Sequence, residues 1–278
     1  MQASPSETPP IVLTFAGTDP TGGAGLQADI LTLASLGCHP LSVVTAVTVQ
    51  DSLGVEDFLP MDPEWVADQA RRVLEDMPVL AFKVGMIGSV ETALAIAEVV
   101  SDYPDLPLVL DPVLTSGRGD DLAGEHLIDV LRDALLPQVS ILTPNSMEAR
   151  RLAQDETLDE DEPDLDECAS RLIDMGCGYV LITGAHEHGP QVANTLYNDS
   201  GPVLTLRWDR LPGNYHGSGC TLAAAIAGLL AGGLSMAEAV REAQEYTYQT
   251  LQAAFRPGMG QFIPDRFYWT RGEEQDEA

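Results

Sequence analysis

Short apolar segments alternate with longer amphipathic segments along most of this chain, and this alternation restricts the fold more than any other feature. Ile11–Ala16 is a largely apolar run typical of a buried strand, and residues 24–36 repeat apolar side chains at helical spacing. Two β segments, 191–197 and 202–207, flank a polar turn and predict a hairpin. Further strands are predicted at 41–49, 80–84, 106–110, 140–142 and 179–182, and helices at 63–74, 91–100, 125–135, 147–153, 165–175, 219–231 and 235–254. This order predicts an α/β fold with a mostly parallel sheet covered on both faces.

Length and composition fit a single domain. The chain has 278 residues, of which 45% are hydrophobic, and single α/β domains commonly reach this size. We therefore predict one domain over residues 1–278, with flexible ends at 1–10 and 272–278. Ligands of such folds bind beyond the carboxyl ends of the parallel strands, so the residues directly after each strand are the candidates for a functional site.

The chain is strongly acidic, with a formal net charge of −29 and a single lysine, Lys83. A surface of this sign repels nucleic acid and anionic lipid, so we expect neither as a partner. The longest apolar stretch, 220–234, is interrupted by glycines and is shorter than the roughly 20 residues of a membrane span. We expect a cytoplasmic protein, whose acidic surface fits either a salt-rich cytoplasm or an acidic protein without a salt requirement.

The four cysteines show neither Cys-x-x-Cys pairing nor a histidine spacing suited to zinc. Cys38, Cys168 and Cys177 are interpreted as small apolar side chains in a reducing compartment. Cys220 differs because a glycine-rich segment precedes it.

The first candidate site segment is Gly17-Thr-Asp-Pro-Thr-Gly-Gly-Ala-Gly25, which joins a predicted strand to a predicted helix. Its glycines would let backbone N–H groups approach a ligand at a positive helix end, although a tight structural turn is the other interpretation. The segment is not a Walker A loop, since no Gly-Lys-Ser/Thr follows, and it does not have the dinucleotide spacing Gly-x-Gly-x-x-Gly.

The second segment, Gly217-Ser-Gly-Cys220, leads directly into an alanine-rich helix. Small residues there would expose successive N–H groups, which with the helix dipole suit the negative charge of phosphoryl transfer. The same dipole predicts a lowered pKa for the Cys220 thiol, which would suit a general base acting on an alcohol. A glycine-rich helix start with a buried cysteine is the alternative.

Polar residues also follow two other predicted strands. Asp111 ends one strand, and Thr143-Pro-Asn-Ser-Met-Glu148 follows another. Asn145 and Glu148 fit the few ligands that a hydrated Mg²⁺ takes, and they fit a helix cap and a first-turn acid equally well.

Together these segments resemble the hydroxymethylpyrimidine/phosphomethylpyrimidine kinases of thiamine biosynthesis, within the ribokinase-like superfamily. The resemblance extends over about residues 11–264 and adds a three-layer α/β/α architecture to the predicted fold. It rests on Gly17-Thr-Asp-Pro-Thr-Gly-Gly-Ala-Gly-Leu-Gln-Ala-Asp29, Val47-Thr-Val-Gln-Asp51, Lys83-Val-Gly-Met86, Asp111-Pro-Val113, Thr143-Pro-Asn-Ser-Met-Glu-Ala149 and Gly217-Ser-Gly-Cys220, which occur in the family's order.

The resemblance implies two successive phosphorylations by ATP with Mg²⁺, the first on the 5-hydroxymethyl group of an aminopyrimidine and the second on the resulting monophosphate. It implies Cys220 as the base and Gly217, Ser218 and Gly219 as an anion hole. It places Asp111 and Glu148 near Mg²⁺, through water, and it implies a homodimer. The positions that match the family's pyrimidine pocket are Gly17, Ala24, Asp29, Gln50, Met86 and Val113. Those assigned to ATP and Mg²⁺ are Asp111, Asn145, Glu148 and Thr183.

One departure from the family bears on the ATP site. Many relatives carry Lys-Gly-Gly-His where this chain has Thr183-Gly-Ala-His186, so the phosphate-binding lysine is missing. Arg118 is a candidate source of the missing charge, and weak ATP affinity or a changed substrate is a possible consequence. Two alternative functions stay open on the sequence: a pyridoxal or pyridoxine kinase, and a non-catalytic pyrimidine-binding protein.

Overall fold

The computed structural model describes residues 8–115, 124–154 and 163–271. Arg118 lies outside these ranges, as do residues 1–7 and 272–278 of the predicted flexible ends. In the described part of the chain, no helix combines the length and the apolar character that crossing a membrane requires.

The described part of the chain contains ten strands and eight α-helices, and strands and helices alternate over most of it. The strands are β1 (Ile11–Ala16), β2 (His39–Val44), β3 (Ala46–Asp51), β4 (Gly54–Pro60), β5 (Ala81–Val84), β6 (Leu108–Leu110), β7 (Ile141–Leu142), β8 (Tyr179–Thr183), β9 (Gln191–Asn198) and β10 (Gly201–Asp209). The helices are α1 (Gly25–Ser35), α2 (Pro63–Leu74), α3 (Val90–Ser101), α4 (Glu125–Val130), α5 (Ser146–Ala153), α6 (Leu165–Asp174), α7 (Ser218–Ala231) and α8 (Met236–Gln252).

Eight strands form the central sheet in the order β10-β9-β8-β7-β6-β5-β1-β2. Parallel pairing joins the six neighbouring strands β2, β1, β5, β6, β7 and β8 of this sheet. An antiparallel hairpin of β9 and β10 lies beside β8 at one edge. The chain order reverses between β1 and β5, where β1 pairs with β2 on one side and with β5 on the other. The predicted α/β class and the predicted hairpin are confirmed.

Two hydrophobic cores, one on each face of the sheet, give three layers. In β1 the side chains of Leu13 and Phe15 enter the core shared with α2, α3 and α6, whereas Val12 enters the core shared with α7 and α8. This alternation follows from the two-residue period of a strand. Because both faces are covered, all six residues of β1 are buried, and ligands can reach the sheet only at its ends.

The predicted strand 41–49 is wrong, since the chain leaves the central sheet within it. β2 ends at Val44, and β3 pairs with β4 as a separate two-stranded antiparallel sheet. Thr45 lies at the break, where its N–H donates to the Ala16 carbonyl and its Oγ1 donates to the Met86 carbonyl. This hairpin therefore starts beside the carboxyl ends of β1 and β5.

Candidate active site

The segment after β1, residues 17–25, forms a compact loop that we call the glycine loop. Asp19 organises it from inside: its carboxylate accepts hydrogen bonds from the N–H groups of Thr21 at 2.8 Å and Ala24 at 2.7 Å. Burial alone would raise the pKa of Asp19, but hydrogen bonds from His216, Ala24 and Thr21 outweigh burial and lower it. Gly25 adopts a φ of +57°, and a side chain there would overlap the Gly17 carbonyl. The loop thus depends on glycine where it turns into α1.

The start of α7 lies against this loop. Gly217 is the N-cap with a φ of +81°, and a Cβ atom there would overlap the carbonyl of Gly23. His216 adds a hydrogen bond between its Nε2 and the Asp19 carboxylate at 3.0 Å. The first N–H groups of a helix have no partner within the helix, so those of Ser218 and Gly219 can receive a ligand. The structure brings the two glycine segments together, and the anion hole predicted at residues 217–219 would lie at their junction.

Cys220 lies in the first turn of α7 and is partly exposed. The expected lowering of its thiol pKa is wrong: burial raises the pKa of Cys220 to about 12, and the negative charge of Asp111 raises it as well. The Lys83 ammonium and a hydrogen bond from the Gly25 N–H lower this pKa, but they do not outweigh burial and Asp111. With a pKa of about 12, the Cys220 thiol is neutral at neutral pH.

A buried ion pair lies beneath Cys220. Nζ of Lys83 donates to the Asp29 carboxylate at 2.9 Å, and both side chains are fully buried. Thr14 Oγ1 donates to the same Asp29 oxygen at 3.0 Å. Burial alone would lower the pKa of Lys83, but Asp29, Cys220 and Asp111 raise it above its usual value, so the lysine is charged. Asp29, predicted to contact the pyrimidine, therefore supports the site from below and has no exposed surface here.

Asp111 and Glu148 form an acidic pair. Asp111 directly follows β6, and Glu148 lies in the first turn of α5. Asp111 is buried, and its Oδ2 has no hydrogen-bond partner among the described residues. Burial and the neighbouring Asp111 raise the pKa of Glu148 to about 8. An unpartnered carboxylate oxygen beside a second carboxyl group fits a hydrated Mg²⁺, which takes few protein ligands and keeps several waters.

Asn145 and Glu148 also form a capping box at α5. Asn145 Oδ1 accepts hydrogen bonds from the N–H groups of Met147 and Glu148, each at 2.9 Å, and Glu148 accepts one from the Asn145 N–H at 3.0 Å. The structural interpretation of these two residues is therefore confirmed, and it fixes the Glu148 carboxyl group in place. The remaining lone pairs of that group are compatible with the predicted Mg²⁺ role.

Thr183, at the end of β8, lies next to Asn145. Its N–H donates to the Pro144 carbonyl at 2.9 Å, and the two residues form an isolated parallel bridge. The position assigned to ATP thus joins the acidic pair at one edge of the sheet. Among the described residues, no group of three or more His, Cys, Asp or Glu side chains is placed to hold a metal ion.

The predicted pyrimidine contacts lie around the glycine loop. A Cβ atom on Gly17 would come within 3.0 Å of Met86 Sδ, and Met86 and Val113 line one small pocket. Gln50 extends from β3, where its Nε2 donates to Thr48 Oγ1 at 2.7 Å. Its Oε1 is buried and has no partner among the described residues, so it could accept a hydrogen bond from a donor such as an exocyclic amine. Of the predicted set, Gly17 and Asp29 are buried, and the others are partly exposed.

Comparisons with known proteins show the family of this chain. The family model described as phosphomethylpyrimidine kinase matches residues 19–265. The chain belongs to the phosphomethylpyrimidine kinase family. A hydroxymethylpyrimidine/phosphomethylpyrimidine kinase from Streptomyces coelicolor is 41% identical over 271 residues, which is 97% of this chain and 98% of that protein. The family inferred from the motifs is therefore confirmed.

Two solved structures show the same fold. The ADP complex of Bacillus subtilis pyridoxal kinase gives a TM-score of 0.84 at 25% identity, covering 95% of this chain and 100% of that one. The phosphomethylpyrimidine kinase from Clostridium difficile 630 gives 0.73 at 32% identity, covering 87% and 99%. The predicted ribokinase-like α/β/α architecture is confirmed.

Sequence reasoning missed three residues of the site. His216 directly precedes the Gly217-Ser-Gly-Cys220 segment, and its bond to Asp19 joins positions 197 apart in the chain. Lys83 belonged to a recognised motif, but its pairing with Asp29 was not anticipated. Arg266 lay outside every motif. The one available signal for these residues was Lys83 itself. It is the single lysine of the sequence, and it lies in β5, whose four residues are all buried.

Proposed function

We propose that this chain transfers the γ-phosphoryl group of MgATP to 4-amino-5-hydroxymethyl-2-methylpyrimidine and then to its monophosphate, in thiamine diphosphate biosynthesis. One observation carries the proposal: the anion hole at α7 lies directly against the glycine loop, with Asp111 beside Cys220. An acceptor held by the loop would face a phosphoryl group held by the N–H donors. The similarity to the Streptomyces coelicolor kinase supports the same substrates.

In this proposal the chain's own groups position and stabilise charge. The N–H groups of Ser218 and Gly219 would receive the oxygens of the transferring group, where preorganised donors are most effective. Mg²⁺, when bound, would neutralise phosphate charge, and Asp111 and Glu148 would hold it through water. Gln50 and Met86 would orient the ring so that its hydroxymethyl group points towards Cys220.

The two phosphorylations differ in their need for a base. The first acceptor is an alcohol, whose proton must leave during transfer. The thiolate form of Cys220, whose thiol hydrogen-bonds to Asp111 when protonated, would take that proton and become the neutral thiol. The second acceptor is a phosphate oxygen that is already ionised at neutral pH. For that step positioning and charge stabilisation suffice.

We further propose a homodimer in the cytoplasm, without nucleic-acid or membrane partners. The hairpin of β3 and β4 supports an association, since Val47, Val49 and Leu59 expose 46%, 56% and 69% of their surface. The net charge of −29 supports the exclusion of polyanionic partners.

A pyridoxal kinase activity is the second candidate. The Bacillus subtilis pyridoxal kinase superposes with the higher TM-score of the two structures described above, 0.84 against 0.73. Coupled ADP release with hydroxymethylpyrimidine, its monophosphate and pyridoxine in parallel separates the candidates. We expect turnover with both pyrimidines and little with pyridoxine. Turnover mainly with pyridoxine would overturn the proposal, and pyrimidine-dependent thermal stabilisation without turnover would indicate a binding protein.

A further inference from the structure

Arg266 is a buried arginine just beyond the last residue matched by the family model. Only 3% of its surface is exposed. Its Nε donates to Thr221 Oγ1 at 3.1 Å, and its two terminal nitrogens donate to the carbonyl oxygens of Gly22 at 3.3 Å and Gly23 at 2.6 Å. One guanidinium group therefore contacts both the glycine loop and the first turn of α7.

These contacts continue to the anion hole. Thr221 follows Cys220 directly, and its Oγ1 donates to the Gly217 carbonyl at 2.7 Å. The Gly23 carbonyl that accepts from Arg266 is also the atom that leaves no room for a side chain on Gly217. Arg266 thus acts on both sides of the junction between the loop and the helix.

The backbone of Arg266 is fixed to the helices behind the site. Its carbonyl accepts a hydrogen bond from Tyr246 Oη at 3.1 Å, and the same hydroxyl bonds to Ser35 Oγ at 2.7 Å. Tyr246 belongs to α8 and Ser35 to α1. The main chain of Arg266 is therefore held by α8 and α1, and not by the glycine loop.

We propose that Arg266 is a positioning residue that sets the distance between the glycine loop and the anion hole. Its planar fork carries five donors in fixed directions, so three acceptors on two segments can be held in one geometry. It does not touch the acceptor or the nucleotide; it aligns the groups that would. Its effect on turnover rests on the proposed kinase function, whereas its effect on loop mobility does not.

Arg266→Met and Arg266→Lys test this role. We expect Arg266→Met to lower kcat for both phosphorylations by about 10- to 100-fold, because a displacement near 1 Å has that effect on transfer, and to raise KM for the pyrimidine. Arg266→Lys should recover most of the thermal stability but not kcat, because one ammonium group cannot span three acceptors. In both variants hydrogen–deuterium exchange should become faster at residues 22–24 and 217–221.

Arg132→Met is the matched control. Arg132 also donates to three carbonyl oxygens, those of Leu152, Arg151 and Gln154 at 2.9, 3.0 and 3.0 Å, but these lie at the end of α5. This variant should lower Tm and leave kcat unchanged.

Three results would overturn the role of Arg266. They are unchanged exchange and kcat in Arg266→Met, full recovery of kcat in Arg266→Lys, and an equal loss of kcat in Arg132→Met. A wild-type protein without pyrimidine turnover would refute the proposed function instead, and the exchange data would still decide on Arg266.

Discussion

Two carboxylates and two cationic side chains act on the thiol of Cys220. Asp29 and Asp111 lie beneath it with Lys83 as the balancing cation, and burial strengthens each of these interactions. Lys83 is fully buried and paired, so it is not placed to substitute for the phosphate-binding lysine that the family resemblance predicts at the position of Thr183. Its function is to keep two buried carboxylates close to the site without mutual repulsion.

The first prediction concerns Cys220 as a base. Its pKa of about 12 means that the thiolate fraction rises tenfold per pH unit across the neutral range. The rate of the first phosphorylation should rise with pH accordingly, whereas that of the second should be nearly flat above pH 7, since a phosphate monoester has its second pKa near 6. Cys220→Ala should lower the first step by about 100-fold or more, the range of general-base catalysis, and the second step far less.

Cys168→Ala is the control for that experiment, because Cys168 is a buried thiol in α6. It should leave both rates and both pH profiles unchanged. Equal losses in the two steps for Cys220→Ala, or a first step that does not depend on pH, would refute the role of Cys220 as the base.

The helix α7 and the glycine loop meet so closely that their backbones determine the shape of the site. The sequence predicts α7 to within one residue of its start, because the Gly-Ser-Gly run and the alanines that follow are local signals. It does not predict that β3 leaves the sheet, because Val47 and Val49 look like core residues yet lie exposed on the hairpin.

Contacts over long chain separations are the other feature that the sequence does not reveal. Arg266 bonds to residues 243 and 244 positions away. Neither periodicity nor motif spacing carries information on such a pair, because both describe neighbours along the chain. The segments of the candidate site were therefore predictable from their motifs, whereas Arg266, which bonds to two of these segments, required the structure.

The second prediction concerns the junction of α7 with the glycine loop. Gly217→Ala forces a side chain into the left-handed region and into the Gly23 carbonyl, so it should reduce stability by about 1–3 kcal/mol and lower kcat of both steps. Denaturant unfolding and the two kcat values measure this.

Gly233→Ala provides the comparison, since Gly233 has a φ of +90° but open space around the added methyl group. We expect it to lose stability with unchanged kcat. Wild-type kcat in Gly217→Ala would contradict the close packing of the two segments. So would an equal effect of both variants on kcat.

The charge of the complete chain opposes the binding of a polyanion. The sequence has 43 acidic residues against 14 lysines and arginines, and the structure places the one lysine inside the protein. Self-repulsion of this size destabilises the folded state at low ionic strength. Under the proposed function, attraction of MgATP would have to come from the metal ion, the N–H donors at the start of α7 and local arginines.

The third prediction follows from screening. Between about 0.1 M and 1 M salt the Debye length falls from about 10 Å to 3 Å, which suppresses repulsion between surface carboxylates. As KCl is raised, Tm should therefore rise and KM for ATP should fall. Tetramethylammonium chloride should give a similar rise in Tm if screening is the cause. A flat or falling Tm in both salts would contradict this account and would also exclude adaptation to a salt-rich cytoplasm.

The central claim is that one site phosphorylates the pyrimidine twice, and product analysis by ³¹P NMR tests it most directly. Purified protein is incubated with hydroxymethylpyrimidine and excess MgATP, and the phosphorus signals are followed with time. The account predicts that the monophosphate appears first, that the diphosphate replaces it, and that two ADP form per pyrimidine. Accumulation of monophosphate alone, or ADP formed without any phosphorylated pyrimidine, would contradict the account.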